Sequence, residues 1–278
     1  MTWKNSACMS IGRSLCPDMN NLVSMAPASK SSAIDNFYVA TTPTLTRIDP
    51  TFLSTYGDDI SGLLFVGLVS STENYFRDIL GLILTICPCA QAHAADEKVQ
   101  LGSLLWAENS LQNRSAFEFM AFSSAENIRK AIGNFAHYQI RKAGNFDVAL
   151  KEYDKLCELR HAVVHSGHIV AGKNAIKLGL ARTSKTLKVR LCYADLQSAG
   201  SVCTALVQAA NTELFEVLVS RWAQDWRVLP SWQPAREMPA LRKLRDGFLS
   251  KRDQANKTIP TSRTLAALMA ELQTVFNL

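Results

Sequence analysis

The chain predicts an all-α fold, and three observations carry that expectation. Apolar residues recur at helical spacing along several segments, helix start and stop signals bracket those segments, and alternation of the strand type is confined to one short region. The chain has 278 residues, of which 47% are hydrophobic and 19% charged. That is enough apolar material for a substantial core and excludes a mostly disordered chain. Thirteen glycines and nine prolines exclude collagen-like or low-complexity material.

Residues 1 to about 57 are rich in Ser, Thr, Asn and Pro and show no sustained apolar period. They predict a loosely structured arm or a partner-contacting segment. Asp58-Asp59 then signals the start of a long helix that runs to Cys87, before Pro88. One of its stripes is Leu64, Leu68, Ser71, Tyr75, Leu82 and Ile86; the opposite one is Val66, Val69, Phe76, Leu80 and Leu84. A helix apolar on both sides belongs at the centre of a bundle or in a dimer interface. The stretch Ile60–Cys87 imitates a membrane span, but Glu73, Arg77 and Asp78 fall at mid-depth. Each would cost roughly 2.5 kcal/mol or more there, so a buried helix of a soluble protein is expected.

Gln91 to Asn113 reads as a loop with a short helix around Gly102 to Asn109. Ser123 and Glu126 are spaced as a capping box for a helix to about Lys142. Gly144-Asn145 breaks that helix, and another spans Phe146 to about His165, where Ser166-Gly167 ends it. Within residues 172–192, Ile176, Leu178 and Leu180 alternate, as do Leu187, Val189 and Leu191, which predicts a small β-hairpin. Asp195 starts a long helix to about Trp226. Pro230, Pro234 and Pro239 mark a linker before one or two closing helices, one of them basic through Arg242, Lys243, Arg245, Lys251 and Arg252. The expected organisation is an arm (1–57), a helical domain (58–227) and a basic helical tail (228–278). Trp222, Trp226 and Trp232 are expected to pack the tail onto the bundle rather than to stack bases.

The net charge is +6, and +4 of it lies in the tail, which has eight Lys or Arg against four Asp or Glu. This permits a nucleic-acid partner without demanding one. The seven cysteines, at 8, 16, 87, 89, 157, 192 and 203, include one tight pair, Cys87-Pro88-Cys89, and no second pair to complete a zinc knuckle. Cys87 and Cys89 are read as inert thiols. The opening Met1-Thr2-Trp3-Lys4-Asn5-Ser6 lacks the apolar run of a signal peptide. A reducing, cytoplasmic setting is the expectation, with no membrane partner and no cofactor.

Three of the five histidines fall within eight residues, in Glu158-Leu159-Arg160-His161-Ala162-Val163-Val164-His165-Ser166-Gly167-His168. At 100° per residue, Leu150, Tyr153, Cys157 and Val164 form one stripe with Phe146, and Arg160 falls in it. A guanidinium on an apolar stripe is costly unless it is paired, or faces a cleft or a second subunit. His161 and His165 share a face with Glu158, which offers a metal pair plus carboxylate with His168 in reserve. Ala162 stands where a zincin motif needs Glu, so a metalloprotease is not expected and no metal ligands are assigned. Glu73 lies in an apolar stripe between Val69 and Phe76, where two readings stand. It orients Arg160 or a histidine, a role Asn74 also suits, or it forms an i,i+4 pair with Arg77.

With Arg160, the polar His161 straight after it and His165, the chain resembles the HEPN superfamily (higher eukaryotes and prokaryotes nucleotide-binding domains). The motif of that family is an Arg, four to six residues, then a His. The helical surroundings, the Ser-Gly turn, the long helix that follows and the opening Gly67-Leu-Val-Ser-Ser-Thr-Glu-Asn-Tyr-Phe76 helix are similar too; the resemblance covers about residues 58–227. It implies a homodimer whose two motifs meet in one composite cleft, and metal-independent cleavage of RNA in a toxin or antiviral-defence role. Such cleavage needs a base for the 2′-OH proton, an acid for the 5′-oxygen and positive charge near the phosphorane. Histidine, with an unperturbed pKa of about 6.5, suits either proton transfer, and Arg160 suits the phosphate oxygens. Arg160, His165 and Glu73 are thus the candidate catalytic residues, with His161, Asn74 and His168 as RNA-binding or orienting groups. A catalytically inactive nucleotide- or RNA-binding or scaffold module is the alternative. An antitoxin or nucleotidyltransferase partner contacting residues 1–57 is a further expectation.

Overall fold

Ser32 caps the first long helix, α1 (Ala33–Thr46), its hydroxyl accepting from the Asp35 amide. The computed structural model describes residues 17–24, 29, 31–108, 112–256, 258 and 264–278. It divides into two units, Met1–Lys30 and Ser31–Leu278. In the first, a 3-10 turn at Met19–Asn21 is capped by Asp18. The second is all-α, in the order α1, α2 (Pro50–Ile86), α3 (Pro88–His93), α4 (Leu101–Leu105), α5 (Gln112–Ser115), α6 (Ala125–Ala136), α7 (Asn145–His165), α8 (Gly172–Lys177), α9 (Tyr193–Ala223), α10 (Glu237–Phe248), α11 (Lys251–Ala255) and α12 (Leu265–Phe276). Short 3-10 turns lie at Trp226–Val228 and Pro234–Arg236.

The central position expected for the helix apolar on both sides is the one α2 takes. It packs against α1, α5, α7 and α9, and Phe65, Leu68, Val69, Tyr75, Phe76, Ile79, Leu80 and Ile83 are buried along it. The helix starts earlier than expected, at Pro50, capped by Asp49, and breaks at Gly57. There φ is 75° and ψ −169°, a conformation open to glycine and to few other residues. The Asp58-Asp59 signal therefore marks the start of its second, core-forming part.

The expected loose arm is corrected by the structure over residues 33–57. Helix α1 buries Ala33, Ile34, Phe37 and Tyr38 in the core shared by the whole second unit. Its period was hidden because threonines and Pro43 interrupt the apolar residues. The hydroxyls of Thr41, Thr42 and Thr46 bond back to the carbonyls of Phe37, Tyr38 and Thr42, which lets polar side chains ride inside the helix. The part of the arm at residues 1–16 lies outside the described residues.

The hairpin within 172–192 is also corrected. Residues 172–177 are helix α8, no strand forms among the described residues, and one isolated antiparallel bridge joins Ile169 to Lys188. Of the six alternating apolar residues only Val189 is fully buried, while Ile176 is 80% exposed. Without a sheet face to bury, the alternation had nothing to pack against. The helix expected from Ser123 is capped one residue later, by Ser124, and ends at Ala136 rather than Lys142. The Arg221 guanidinium donates to the carbonyls of Ala136 and His137 at 2.7 and 2.6 Å and so takes over helix-end acceptors. Val164, placed on the core stripe of α7 by the wheel, is 44% exposed because the helix leaves the core after Cys157.

The C-terminal segment is part of the same bundle. Leu241, Leu244 and Phe248 of α10 and Leu265, Met269 and Leu272 of α12 are buried in the common core, and buried Trp222 and Trp226 lead into it. Asp35 at the start of α1 accepts from the Ser250 hydroxyl (2.9 Å) and the Lys251 amide (3.0 Å), and the Tyr38 hydroxyl donates to Asp253 at 3.0 Å. Among the described residues one helix, Tyr193–Val228, is long and apolar enough to cross a membrane by length and composition; half of its apolar window is buried inside the protein.

Candidate functional site

Helix α7 enters the core through Phe146, Leu150, Tyr153 and Cys157, all buried, and its last two turns run out to the surface. Arg160 stands where that stripe emerges. Its side chain is half-buried, and Nε is fully covered with no hydrogen-bond partner. Nη1 lies 3.4 Å from His165 Nε2. A guanidinium only donates, so Nε2 is the acceptor of this pair and carries its lone pair there. No ion pair involves Arg160 among the described residues, so the carboxylate partner that would make it a structural cation is absent from its surroundings.

His165 is the last residue of α7 and is exposed, as is His161 one turn before it. Their rings are 4.8 Å apart at 50°, the i,i+4 neighbourhood of a helix surface. The helix is closed by Gly167 (φ 54°) and His168 (φ 69°), with the amides of Ser166 and His168 both donating to the Ala162 carbonyl. This turn sends His168 away from the other two histidines. Its side chain packs on α2, with Nε2 3.7 Å from Asp59 Oδ1, and a Cβ at Gly62 would come within 2.8 Å of its Cε1. The structure therefore brings together Arg160, His161 and His165, and places His168 in a structural contact.

Glu73 and Asn74 belong to the network of Arg77, the i,i+4 alternative that the sequence offered for Glu73. Glu73 Oε2 accepts from Arg77 Nη2 at 3.2 Å, Asn74 Oδ1 accepts from Arg77 Nη1 at 3.2 Å, and Arg77 also donates to the Met120 carbonyl. No hydrogen bond or ion pair joins either residue to Arg160 or the histidines among the described residues. The i,i+4 pair prevails because Arg77 is held in place by Met120 and by the face of Phe122. The carboxylate of Glu158 is likewise engaged, by Lys177, and its carbonyl accepts from Asn174. Among the described residues no three His, Cys, Asp or Glu side chains converge as a metal ion would require.

Two other histidines, His93 and His137, stack at 3.9 Å near the ends of α3 and α6. Burial, then His93 and Arg221, hold His137 below the ordinary imidazole range. Cys87 is buried and caps α3. Burial pushes the Cys203 thiol up to about 11 and that of Cys157 higher still, so neither is a nucleophile at neutral pH. A cleft of about 830 Å³ lies along the N-terminal half of α7, against α9, lined in part by Arg141, Glu152, Glu213 and Glu216. It is at the other end of α7 from Arg160.

Beside the site the chain carries a feature that no motif marks. From Leu159 to Ala194 the chain contains no Asp or Glu. The signal was a missing residue type rather than a motif. Compared with known proteins, the chain matches no family model, no curated protein and no solved structure.

Proposed function

We propose that the protein is a metal-independent endoribonuclease of the HEPN type, acting in a toxin or antiviral-defence role, with Arg160 and His165 as its reacting groups. The observation that carries this reading is the Arg160–His165 contact on the exposed end of α7, made by a guanidinium that no carboxylate neutralises among the described residues. As Arg160 turns from His165 Nε2 to the phosphate, the freed nitrogen takes the 2′-OH proton. The 2′-oxygen attacks phosphorus, the bond to the 5′-oxygen breaks, and an acid returns a proton to that oxygen. The products are a 2′,3′-cyclic phosphate and a 5′-hydroxyl. Arg160 stabilises the charge that builds on the phosphorane. A second protomer supplies the second histidine, and exposed Val164 beside His165 offers it an apolar contact.

The test is cleavage of total cellular RNA in EDTA by the wild type, His165→Ala and Arg160→Ala, with product ends assigned. Chelator-resistant cleavage with cyclic-phosphate ends is expected, reduced by about 10²-fold or more in each variant. Absence of cleavage by a folded wild-type dimer, with or without added metal, transfers the assignment to an RNA-binding or scaffold module. The observation favouring that second reading is that no carboxylate or amide orients the His165 ring among the described residues.

A further inference from the structure

The stretch without acids flanks the proposed site. Residues 159–194 hold seven Lys or Arg and three His and no Asp or Glu, where the chain's average of 24 acids in 278 residues would give about three. Both ends of this stretch are fixed to the end of α7. Asn174 Nδ2 donates to the Glu158 carbonyl at 3.2 Å, and Lys177 pairs with the Glu158 carboxylate. On the other side the Val189 amide donates to the His168 carbonyl at 2.8 Å and the Val170 amide to the Leu187 carbonyl at 2.9 Å. The bridge between Ile169 and Lys188 holds Lys188 against the turn that follows His165.

All six cations from Lys173 to Arg190 are exposed. Two are compensated, Lys177 by Glu158 and Arg190 by Asp58 at 3.5 Å. Lys173, Arg182, Lys185 and Lys188 have no ion pair among the described residues. Four uncompensated like charges on one short excursion repel one another, and a polyanion relieves that repulsion. The excursion has no aromatic residue to stack on bases or to anchor in a membrane interface. What remains is recognition of a charged backbone at the mouth of a site suited to phosphodiester chemistry.

We infer that residues 173–190 form an electrostatic arm that grips the phosphate backbone of single-stranded RNA, with little regard to sequence, and feeds it to the Arg160–His165 pair. The inference rests on the nuclease reading for its choice of polyanion. It is tested with the full chain and a labelled 2′-O-methyl oligoribonucleotide, which lacks the attacking hydroxyl, titrated at several salt concentrations. The combined variant Arg182→Gln/Lys185→Gln/Lys188→Gln is expected to bind about tenfold or more weakly, with a log–log salt slope reduced by about 2, since each single-strand phosphate contact contributes about 0.7. The control Lys98→Gln/Lys130→Gln/Lys243→Gln removes the same charge from exposed positions elsewhere and is expected to bind within about twofold of wild type. Unchanged affinity and slope in the arm variant, or an equal loss in the control, would overturn the arm. So would binding of the wild type to vesicles containing anionic lipid without binding to the oligonucleotide. Loss of binding in the arm variant, from a wild type that leaves unmodified RNA intact, keeps the arm and removes the nuclease.

Discussion

At Arg160 the chain places a guanidinium one turn beyond buried Cys157 and gives its Nε no partner. A group left in that state lowers stability, because burial strips its water without replacing the hydrogen bond. Arg160→Met keeps the apolar stem and removes the orphaned donor. Its unfolding free energy is expected to lie within about 1 kcal/mol of wild type or above it, while RNA cleavage disappears. Chemical denaturation of both proteins checks this; a loss of more than about 2 kcal/mol would make Arg160 a structural residue. Asp147, near the start of the same helix, behaves in the opposite way. It accepts from Lys151 Nζ at 2.8 Å, the Ala143 amide at 3.1 Å and Arg129, and these donors hold its carboxyl well below the ordinary range. The stability it adds is complete above the unfolded-state value of about 3.9 and fades as pH falls below it towards the depressed folded value. The melting-temperature gap between wild type and Asp147→Asn is therefore expected to hold constant from neutrality to about pH 4 and to narrow in stronger acid.

The elements meet through glycines at two kinds of approach. At Gly81 in α2 an added Cβ would stand 2.8 Å from Arg114 Cα and 2.9 Å from Arg114 N, both backbone atoms of α5. Neither can swing aside, so Gly81→Ala must push α5 off α2, at about 1–3 kcal/mol. At Gly247 in α10 the first obstruction is the tip of the Leu82 side chain, which can rotate. Gly247→Ala is expected to cost less than Gly81→Ala, and urea unfolding of the two variants side by side measures the difference. The Pro50–Ile86 helix carries a third approach, Gly62 against the tip of the His168 side chain, of the yielding kind seen at Gly247. Gly62→Ala is therefore expected to cost less than Gly81→Ala in the same urea unfolding, with the His168 ring rotating aside.

On the scale of the whole molecule, the two segments that read as appendages close the bundle together. Asp35 of α1 receives Ser250 and Lys251 at the start of α11, Tyr38 donates to Asp253 and accepts from Gln208, and Arg252 lies over the Tyr38 ring. Burial of Tyr38 in this cluster pushes its hydroxyl up to about 12. Asn211 in α9 donates to the Phe248 carbonyl at 2.9 Å, which ties the end of α10 to α9. A chain ending at residue 227 is therefore expected to lose cooperative unfolding, because it uncovers these polar groups along with the faces that Leu241, Leu244 and Phe248 bury. Phe248→Ala alone is expected to cost about 3–5 kcal/mol. A detachable tail would leave the melting curve unchanged.

The all-α class, the central place of the helix apolar on both sides and the bounds of α7 were legible in the sequence, because each is a local property. Period, capping and breaking residues act within a few turns of chain. The Arg160-His161-His165 cluster was legible for the same reason, since i,i+4 and i,i+5 neighbours on one helix meet wherever that helix lies. For Glu73 the sequence left two readings open, because the pair with Arg77 depends on Met120 and Phe122, which hold Arg77 from another part of the chain. The same applies to α1, whose threonines conceal its period until α9 and α11 pack on it, and to 172–192, where alternation found no sheet. The sequence by itself determined the all-α class, the bounds of α7 and the charges each segment carries. Tertiary packing alone decided which polar groups find partners and which, like Arg160 Nε, find none, or like Lys173, Arg182, Lys185 and Lys188 form no ion pair among the described residues, because partners distant in sequence become neighbours only when the core forms.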